Sequence, residues 1–269
     1  MIEAVLAFLF GLLIGSFLNV CVYRLPRDLS IVRPRSYCPA CEHRIAWSDN
    51  IPLVSYVLLK GRCRHCGARI PLRYPAVELL TAVLFAVFVA VLGPTLEALK
   101  DCLFTALLVG LLFADFEQRI LPDEFTLGGL GAGLVLAWFV PVNDGLISMF
   151  LSFIGAQPDP RRLSVVEAVL GASIPAGFLW LAGLLFEQIR QKEGLGFGDV
   201  KMVAMMGAFL GLRGTLLTLV AGSLAGSVLG LAWILIRRKE VGSYELPFGT
   251  FLGAAAIGVS LLRLLPAWR

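Results

Sequence analysis

The chain has 269 residues, of which 58% are hydrophobic and 16% are charged, and its mean hydropathy is +0.84. This composition excludes a soluble domain of this size and is typical of a polytopic membrane protein. The net charge of +4 does not require a nucleic-acid partner, because the basic residues are concentrated in a few loops between apolar segments.

Apolar segments recur along the chain at lengths near the roughly 20 residues that a helix needs to span the hydrocarbon core. The first segment has Glu3 as its only early charge and lacks the basic start of a secretory signal, so we interpret it as a retained anchor. The sequence predicts an all-α polytopic membrane protein with about eight transmembrane helices. The predicted spans are Ile2–Tyr23, Ala76–Leu92, Cys102–Phe116, Phe125–Val142, Val166–Phe186, Val200–Leu210, Thr215–Ile236 and Pro247–Leu265.

The long polar segment from Arg24 to Pro75 determines the predicted orientation. Short loops rich in Lys and Arg stay in the cytoplasm, so we expect this loop to be cytoplasmic. Its basic residues are Arg24, Arg27, Arg33, Arg35, Arg44, Lys60, Arg62, Arg64, Arg69 and Arg73, against the acidic residues Asp28, Glu42 and Asp49. Alternation of the spans then places both termini outside. It also places Arg119, Arg190, Lys192, Arg237, Arg238 and Lys239 in the cytoplasm.

Four cysteines in the same loop form two C-x-x-C pairs, Cys38 with Cys41 and Cys63 with Cys66. Two such pairs separated by about twenty residues match the spacing of a tetrahedral zinc ribbon, because each turn directs two thiolates to one side of a metal. A reduced pair of dithiols is the alternative, and a cytoplasmic location disfavours disulfides. We expect a structural zinc ion, with two histidines, His43 and His65, as less favoured ligands.

The stretch from Asn143 to Arg162 alternates apolar residues with small or polar ones before the sequence Gln157-Pro158-Asp159-Pro160. It is too short and too interrupted to span a bilayer. We expect an interfacial helix followed by a turn.

Two aspartates at the ends of apolar segments are the candidate catalytic residues. Asp115 follows the apolar run from Leu103 to Ala114, and Asp199 ends the tetrad that begins at Gly196. A carboxylate at membrane depth is costly, so it indicates a functional site. Two carboxylates from different helices can share a proton, one activating water and the other polarising a carbonyl group. The alternative is a pair of structural aspartates that cap helices or bind arginine.

The glycines before Asp199 have a further interpretation. The run from Gly194 to Gly198 resembles a phosphate-binding loop superficially, but no strand precedes it. We expect Gly196 and Gly198 to let the backbone bend and a substrate strand approach Asp199. Lys201 either balances the charge of Asp199 or extends to the membrane boundary.

Several segments, in order along nearly the whole chain, resemble the bacterial prepilin peptidase family, the type IV leader peptidases. They are the run from Gly15 to Pro26, the two cysteine pairs, Arg73-Tyr74-Pro75 with Glu78-Leu79, Asp115 with Leu121-Pro122-Asp123, the run from Gly196 to Lys201, and Pro247-Phe248-Gly249. The resemblance implies a GxGD-class aspartic protease of the bacterial inner membrane with Asp115 and Asp199 as its catalytic pair. It implies prepilins or the pseudopilins of type II secretion as substrates, cut after a glycine on the cytoplasmic side.

The resemblance also implies a second activity. Many family members with the cysteine-bearing loop methylate the new N-terminal amine with S-adenosylmethionine. No residue of this chain identifies the methyl-donor site, and Glu78 is a candidate whose alternative is a charge at a helix start. The expected domains are a first transmembrane helix (1–23), a cytoplasmic zinc-binding loop associated with methyl transfer (24–75) and a membrane-embedded peptidase domain (76–269).

Two other classes of protein remain open from the residues alone. A secondary transporter uses intramembrane aspartates as proton or cation relays, but it predicts broken helices and repeated halves, which the sequence does not show. A silent membrane scaffold that recruits a partner through the zinc loop leaves both aspartates unexplained.

Overall fold

A computed structural model of the chain describes residues 1–142, 145–153, 155, 159–191, 196–237 and 247–265. The chain forms two compact units, Met1–Ala114 and Asp115–Arg269. Some residues that the sequence analysis named lie outside the described residues. They are Lys192, Gly194, Arg238, Lys239 and part of the stretch from Asn143 to Pro158.

The described part of the chain is helical and contains only isolated β-bridges, which confirms the predicted all-α fold. The α-helices are α1 (Ile2–Arg24), α2 (Val54–Leu58), α3 (Arg73–Leu92), α4 (Leu96–Gln118), α5 (Asp123–Phe139), α6 (Leu146–Phe153), α7 (Pro160–Arg190), α8 (Phe197–Arg237) and α9 (Phe248–Leu262). Each predicted span overlaps one of these helices, because a long apolar segment can satisfy its backbone groups in a bilayer only as a helix.

Among the described residues, four helices are long and apolar enough to cross a membrane, namely α1, α3, α7 and α8. The chain is therefore a membrane protein, while the number of eight spans stays a prediction. The predicted spans Val200–Leu210 and Thr215–Ile236 both lie in α8, where they are separated by non-helical backbone at Gly211, with φ of 73°. The break at Gly211 lies between the two predicted spans, at a positive φ that glycine permits.

In the first unit, α1 packs closely against α3 through two glycines. A Cβ at Gly11 would lie 2.6 Å from the Cα of Ala82, and a Cβ at Gly15 would lie 2.6 Å from the Cα of Glu78. The two helices therefore approach at backbone distance, as small residues permit in membranes. One turn further along α1, the side-chain amide of Asn19 donates to the backbone carbonyl of Tyr74 at 3.0 Å.

In the second unit, α5, α7 and α9 pack against α8. α7 and α8 approach each other closely, because a Cβ at Gly207 would lie 2.0 Å from the carbonyl oxygen of Gly171. Gly171 also faces the break at Gly211, so helix packing fills this region. The hydroxyl of Thr215 donates to the carbonyl oxygen of Gly211 at 2.6 Å.

The expected interfacial helix corresponds in part to α6. Its side chains Met149, Phe150 and Phe153 are exposed, and its location at a membrane surface stays a prediction. The expected turn ends at Asp159, whose carboxylate accepts from the N–H groups of Arg161 and Arg162 and so caps α7.

Candidate active site

Asp115 lies in the last turn of α4, and its residue surface is only 6% exposed. Its carbonyl oxygen accepts from the N–H of Arg119 at 2.9 Å. Arg119 adopts a left-handed conformation with φ of 57°, which is a common way for a helix to end. The helix end therefore places a carboxylate in a largely desolvated position.

Thr250 holds this carboxylate through two hydrogen bonds to one oxygen. The N–H of Thr250 donates to Oδ2 of Asp115 at 2.6 Å, and the hydroxyl of Thr250 donates to the same oxygen at 2.8 Å. Because α9 begins at Phe248, this N–H belongs to the first turn of α9, where backbone donors lack partners within the helix. Asp115 therefore binds at the positive end of α9.

Asp199 lies in the first turn of α8 and is half-buried. Its N–H donates to the carbonyl oxygen of Gly196 at 3.0 Å, and a Cβ at Gly196 would lie 3.4 Å from Oδ2 of Asp199. The two carboxyl groups lie close enough to interact electrostatically. No described residue hydrogen-bonds to the Asp199 carboxyl group, in contrast to Asp115.

Leu121 joins three segments that are distant in sequence. A Cβ at Gly198 would lie 3.3 Å from the Cβ of Leu121, and a Cβ at Gly249 would lie 3.1 Å from its Cδ2. The same Gly249 Cβ would lie 3.1 Å from the Cγ of Asp115. The two glycines thus let the starts of α8 and α9 pack against the loop that follows Asp115.

The structure places Lys201 in an ion pair with Asp123. Its ammonium group also lies 5.3 Å from the ring centroid of Phe197. Lys201 therefore balances the charge of Asp123, whereas the sequence analysis considered Asp199 as its partner. Asp123 and Glu124 occupy the first turn of α5, where the helix dipole favours negative charge.

The four loop cysteines lie together and form a candidate metal centre. Their sulfur atoms all lie within 4.8 Å of one another, and Sγ of Cys38 lies 3.9 Å from Sγ of Cys66. A tetrahedral zinc site with bonds of about 2.3 Å separates its sulfurs by roughly 3.8 Å. The four residues Cys38, Cys41, Cys63 and Cys66 therefore fit one zinc ion without a histidine ligand.

The two cysteine pairs have the same backbone geometry. The N–H of Cys38 donates to the carbonyl of His43 at 2.9 Å, and the N–H of Cys63 donates to that of Ala68 at 2.8 Å. β-Bridges join Tyr37 to Arg44 and Arg62 to Arg69. These equivalent turns form a structural repeat that the sequence analysis missed, although both segments have the pattern C-x-x-C-x-x-R-I. The rings of His43 and His65 lie with centroids 3.5 Å apart.

Backbone donors make two of the thiols electrostatically different. The N–H groups of Cys66 and His65 stabilise the Cys63 thiolate and lower the pKa of Cys63 to about 7. At Cys41, the N–H of His43 favours the thiolate, but desolvation and the three neighbouring thiols outweigh it and raise the pKa of Cys41 to about 11. Nearby, Arg64 forms a bidentate ion pair with Asp49, which lowers the pKa of the Asp49 carboxyl group.

Glu78 connects the loop to α3. Its carboxylate accepts a hydrogen bond from the N–H of Leu53 at 2.9 Å. Glu78 is only 8% exposed, and Leu53 has a φ of 58°. The structure thus gives Glu78 a role in holding the loop, which the sequence analysis did not consider.

Sequence reasoning missed Thr250 and Leu121 as site residues. Leu121 belongs to a segment that carried the family resemblance, and Thr250 directly follows another. The contact between Thr250 and Asp115 spans 135 positions of the sequence. In the sequence, the only sign of this role is that Thr250 directly follows Pro247-Phe248-Gly249.

Comparison with known proteins adds to this geometry. The model of the Bacterial Peptidase A24 N-terminal domain matches residues 9–92, and that of the Type IV leader peptidase family matches residues 102–231. A Prepilin leader peptidase/N-methyltransferase of Aeromonas salmonicida (strain A449) is 37% identical over 278 residues, which cover 93% of this chain and 87% of that protein. No solved structure matches the chain.

Two further relatives have similar coverage. A Prepilin leader peptidase/N-methyltransferase of Pseudomonas aeruginosa is 36% identical over 270 residues, covering 92% of this chain and 86% of that protein. A Type 4 prepilin-like proteins leader peptide-processing enzyme of Escherichia coli O78:H11 is 36% identical over 285 residues, covering 97% and 94%. Both alignments therefore include the cysteine loop and both aspartates within nearly complete chains.

Proposed function

The chain belongs to the type IV leader peptidase family, and we propose that it is a membrane aspartic endopeptidase that removes the leader peptides of type IV prepilins or type II secretion pseudopilins. Cleavage follows a glycine on the cytoplasmic side of the bacterial inner membrane. The enzyme then methylates the new N-terminal residue with S-adenosylmethionine, an activity consistent with the names of the relatives, which include N-methyltransferase.

The observation that carries the peptidase proposal is the convergence of Asp115 and Asp199 in one unit. The two residues are 84 positions apart in sequence, at the end of one helix and the start of another. Their charges interact, and glycines on both sides bring Leu121 against the site. Helix capping explains the position of Asp115, but it does not explain a second carboxyl group without a described hydrogen-bond partner.

The proposed mechanism uses the pair as an acid and a base. The ionised carboxylate takes a proton from water, whose oxygen attacks the carbonyl carbon of the leader glycine. The protonated carboxyl group gives its proton to the carbonyl oxygen, and a gem-diol forms. As the C–N bond breaks, the first carboxyl group protonates the leaving nitrogen and the diol returns a proton to the second. Positioned acid–base groups commonly accelerate such steps by roughly 10²–10⁴-fold.

The transporter interpretation has one feature in its favour, the break of α8 at Gly211. The aspartate of α8 does not lie at the break, because Asp199 is twelve positions before Gly211. It is also packed against Gly171 rather than open to a ligand. The peptidase proposal accounts for both aspartates, and the break then serves the packing of α7 on α8.

The loop of residues 24–75 is proposed as a zinc-stabilised region that supports methyl transfer, and residues 76–269 as the peptidase domain. Cys38, Cys41, Cys63 and Cys66 hold the zinc ion, whose role is to fix the loop rather than to act on substrate. Both chain termini face the periplasm in the proposed topology. The proposed substrates are prepilins inserted in the bilayer, and the arginines of the loop are explained without nucleic acid.

The experiment is a cleavage assay with the purified full chain in detergent and a model prepilin, followed by mass spectrometry. The proposal predicts a single cut after the leader glycine. With S-adenosylmethionine present, it predicts an added mass of one methylene group on the mature product. Failure of folded protein to cut several prepilins would contradict the proposal, and cleavage without any methylation would contradict only the second activity.

A further inference from the structure

The two aspartates have different hydrogen-bond surroundings. Oδ2 of Asp115 accepts both donors of Thr250, at 2.6 and 2.8 Å. Oδ1 of Asp115 and both oxygens of Asp199 accept no hydrogen bond from any described residue. Donors aimed at a carboxylate favour its ionised form, and the start of a helix adds the positive end of a dipole.

We propose that Thr250 is a positioning residue that holds the single negative charge of the pair on Asp115, so that Asp115 is the base and Asp199 is the acid. This inference rests on the proposed peptidase function. It goes beyond it by assigning separate roles to two carboxyl groups that chemistry alone leaves interchangeable.

The other charged groups near Asp115 agree with this assignment. Arg119, which follows α4, acts favourably on the charge of Asp115. Asp199, on α8, acts against a second negative charge in the site. Lys201 is engaged with Asp123 and gives no direct support to an ionised Asp199. The active form of the site therefore has one proton, carried by Asp199.

The geometry also determines how each oxygen acts. Thr250 occupies Oδ2 of Asp115, which leaves Oδ1 to accept the proton from the attacking water. Asp199 donates its proton to the carbonyl oxygen of the substrate. The Thr250 hydroxyl transfers no proton in this scheme and touches no reacting atom.

Two variants distinguish the effect of the Thr250 hydroxyl from an effect on folding. Thr250→Val removes the hydroxyl while keeping the branched shape and the backbone N–H, and Thr250→Ser keeps the hydroxyl and serves as the matched control. A hydrogen bond to a charged group contributes enough for a loss of about 10- to 100-fold in rate. We expect kcat of Thr250→Val to fall by about this factor with KM nearly unchanged, while Thr250→Ser stays within about threefold of the parent protein.

The pH profile distinguishes the assignment from a structural role. Loss of the hydroxyl makes the negatively charged pair less stable relative to its fully protonated form, so the acid limb of kcat should move to higher pH. The alkaline limb should stay in place, because the charge on Asp115 is present on both sides of that step. Thr250→Ser should have both limbs of the parent protein.

Each alternative outcome overturns the inference. Movement of the alkaline limb instead would place the single charge on Asp199. An unchanged profile, or a loss of rate that follows the loss of folded protein, would remove the positioning role of the hydroxyl. Folding is monitored by thermal unfolding in detergent and by bound zinc. If the parent protein cuts no prepilin, the proposed function has failed, which is a different result.

Discussion

Gly249 packs against the carboxyl group of Asp115, and a side chain at Gly249 would crowd that group. A Cβ at Gly249 would lie 3.1 Å from the Cγ of Asp115 and 3.3 Å from its Oδ2. Because Thr250 holds that oxygen, the carboxylate cannot move away without loss of its hydrogen bonds. The start of α9 therefore fixes the Asp115 side chain through packing at Gly249 and through the hydrogen bonds from Thr250.

The first prediction concerns this contact. Gly249→Ala should lower the rate of prepilin cleavage about tenfold, because the new methyl group pushes Asp115 from the position that Thr250 sets. Stability should change little, since alanine favours a helix by about 0.5–1 kcal/mol over glycine and offsets part of the crowding.

The matched control is Gly258→Ala on the same helix, where a Cβ would meet no atom within 4 Å. It should keep the parent rate and raise the unfolding temperature slightly. Steady-state cleavage and thermal unfolding in detergent measure both variants. Equal rates for Gly249→Ala and Gly258→Ala would show that the contact does not constrain Asp115.

The second prediction concerns the hydrogen bond between Glu78 and Leu53. Glu78→Gln keeps a carbonyl oxygen that can accept from the N–H of Leu53, whereas Glu78→Ala leaves that N–H without its acceptor, at a cost of about 1–3 kcal/mol. We expect Glu78→Ala to increase hydrogen exchange around Leu53 and Glu78→Gln to preserve protection there.

The exposed Glu97, in the same unit, provides the control for loss of a negative charge. Glu97→Ala should leave exchange near Leu53 unchanged. Hydrogen exchange near Leu53, measured by mass spectrometry, distinguishes the Glu78 variants from the Glu97 control. If Glu78→Gln and Glu78→Ala expose the loop equally, the acceptor oxygen is not what holds Leu53.

The third prediction concerns the thiols after zinc removal. In the chelated protein, Cys63 should react with iodoacetamide faster than Cys41 near pH 7, because a pKa of about 7 leaves Cys63 half ionised and a pKa of about 11 keeps Cys41 protonated. As the pH falls below 7, the advantage of Cys63 should decrease, since its thiolate becomes protonated.

With zinc bound, all four loop cysteines should be protected, as metal-bound thiolates are. The alkylated positions are identified by peptide mass spectrometry at several pH values. Faster labelling of Cys41 than Cys63 in the metal-free protein would contradict the electrostatic account of the two turns. Unchanged labelling before and after chelation would contradict a metal in this cluster.

The sequence predicts the helices well because bilayer-spanning length and apolar composition are local properties. The cysteine cluster can be predicted equally well, since two C-x-x-C pairs in one loop are typical of a single metal site. The boundaries of α4 and α7 extend beyond the predicted spans, because polar residues such as Glu97 and Arg161 continue a helix outside an apolar window.

The details of the site depend on contacts that no local pattern encodes. Thr250 reaches Asp115 only after α9 packs against α8, and Lys201 pairs with Asp123 across 78 positions. Long-range packing, rather than propensity, determines each of these features.

The most direct test of the account is cleavage of a model prepilin by Asp115→Ala and Asp199→Ala, with Glu124→Gln as the control. Glu124 is an exposed carboxylate in the first turn of α5 and takes no part in the proposed chemistry. The account predicts that both aspartate variants fold and bind zinc but lose at least roughly 10²–10⁴-fold in cleavage rate. It also predicts that Glu124→Gln keeps the parent rate. Substantial cleavage by either folded aspartate variant would contradict the two-carboxylate mechanism.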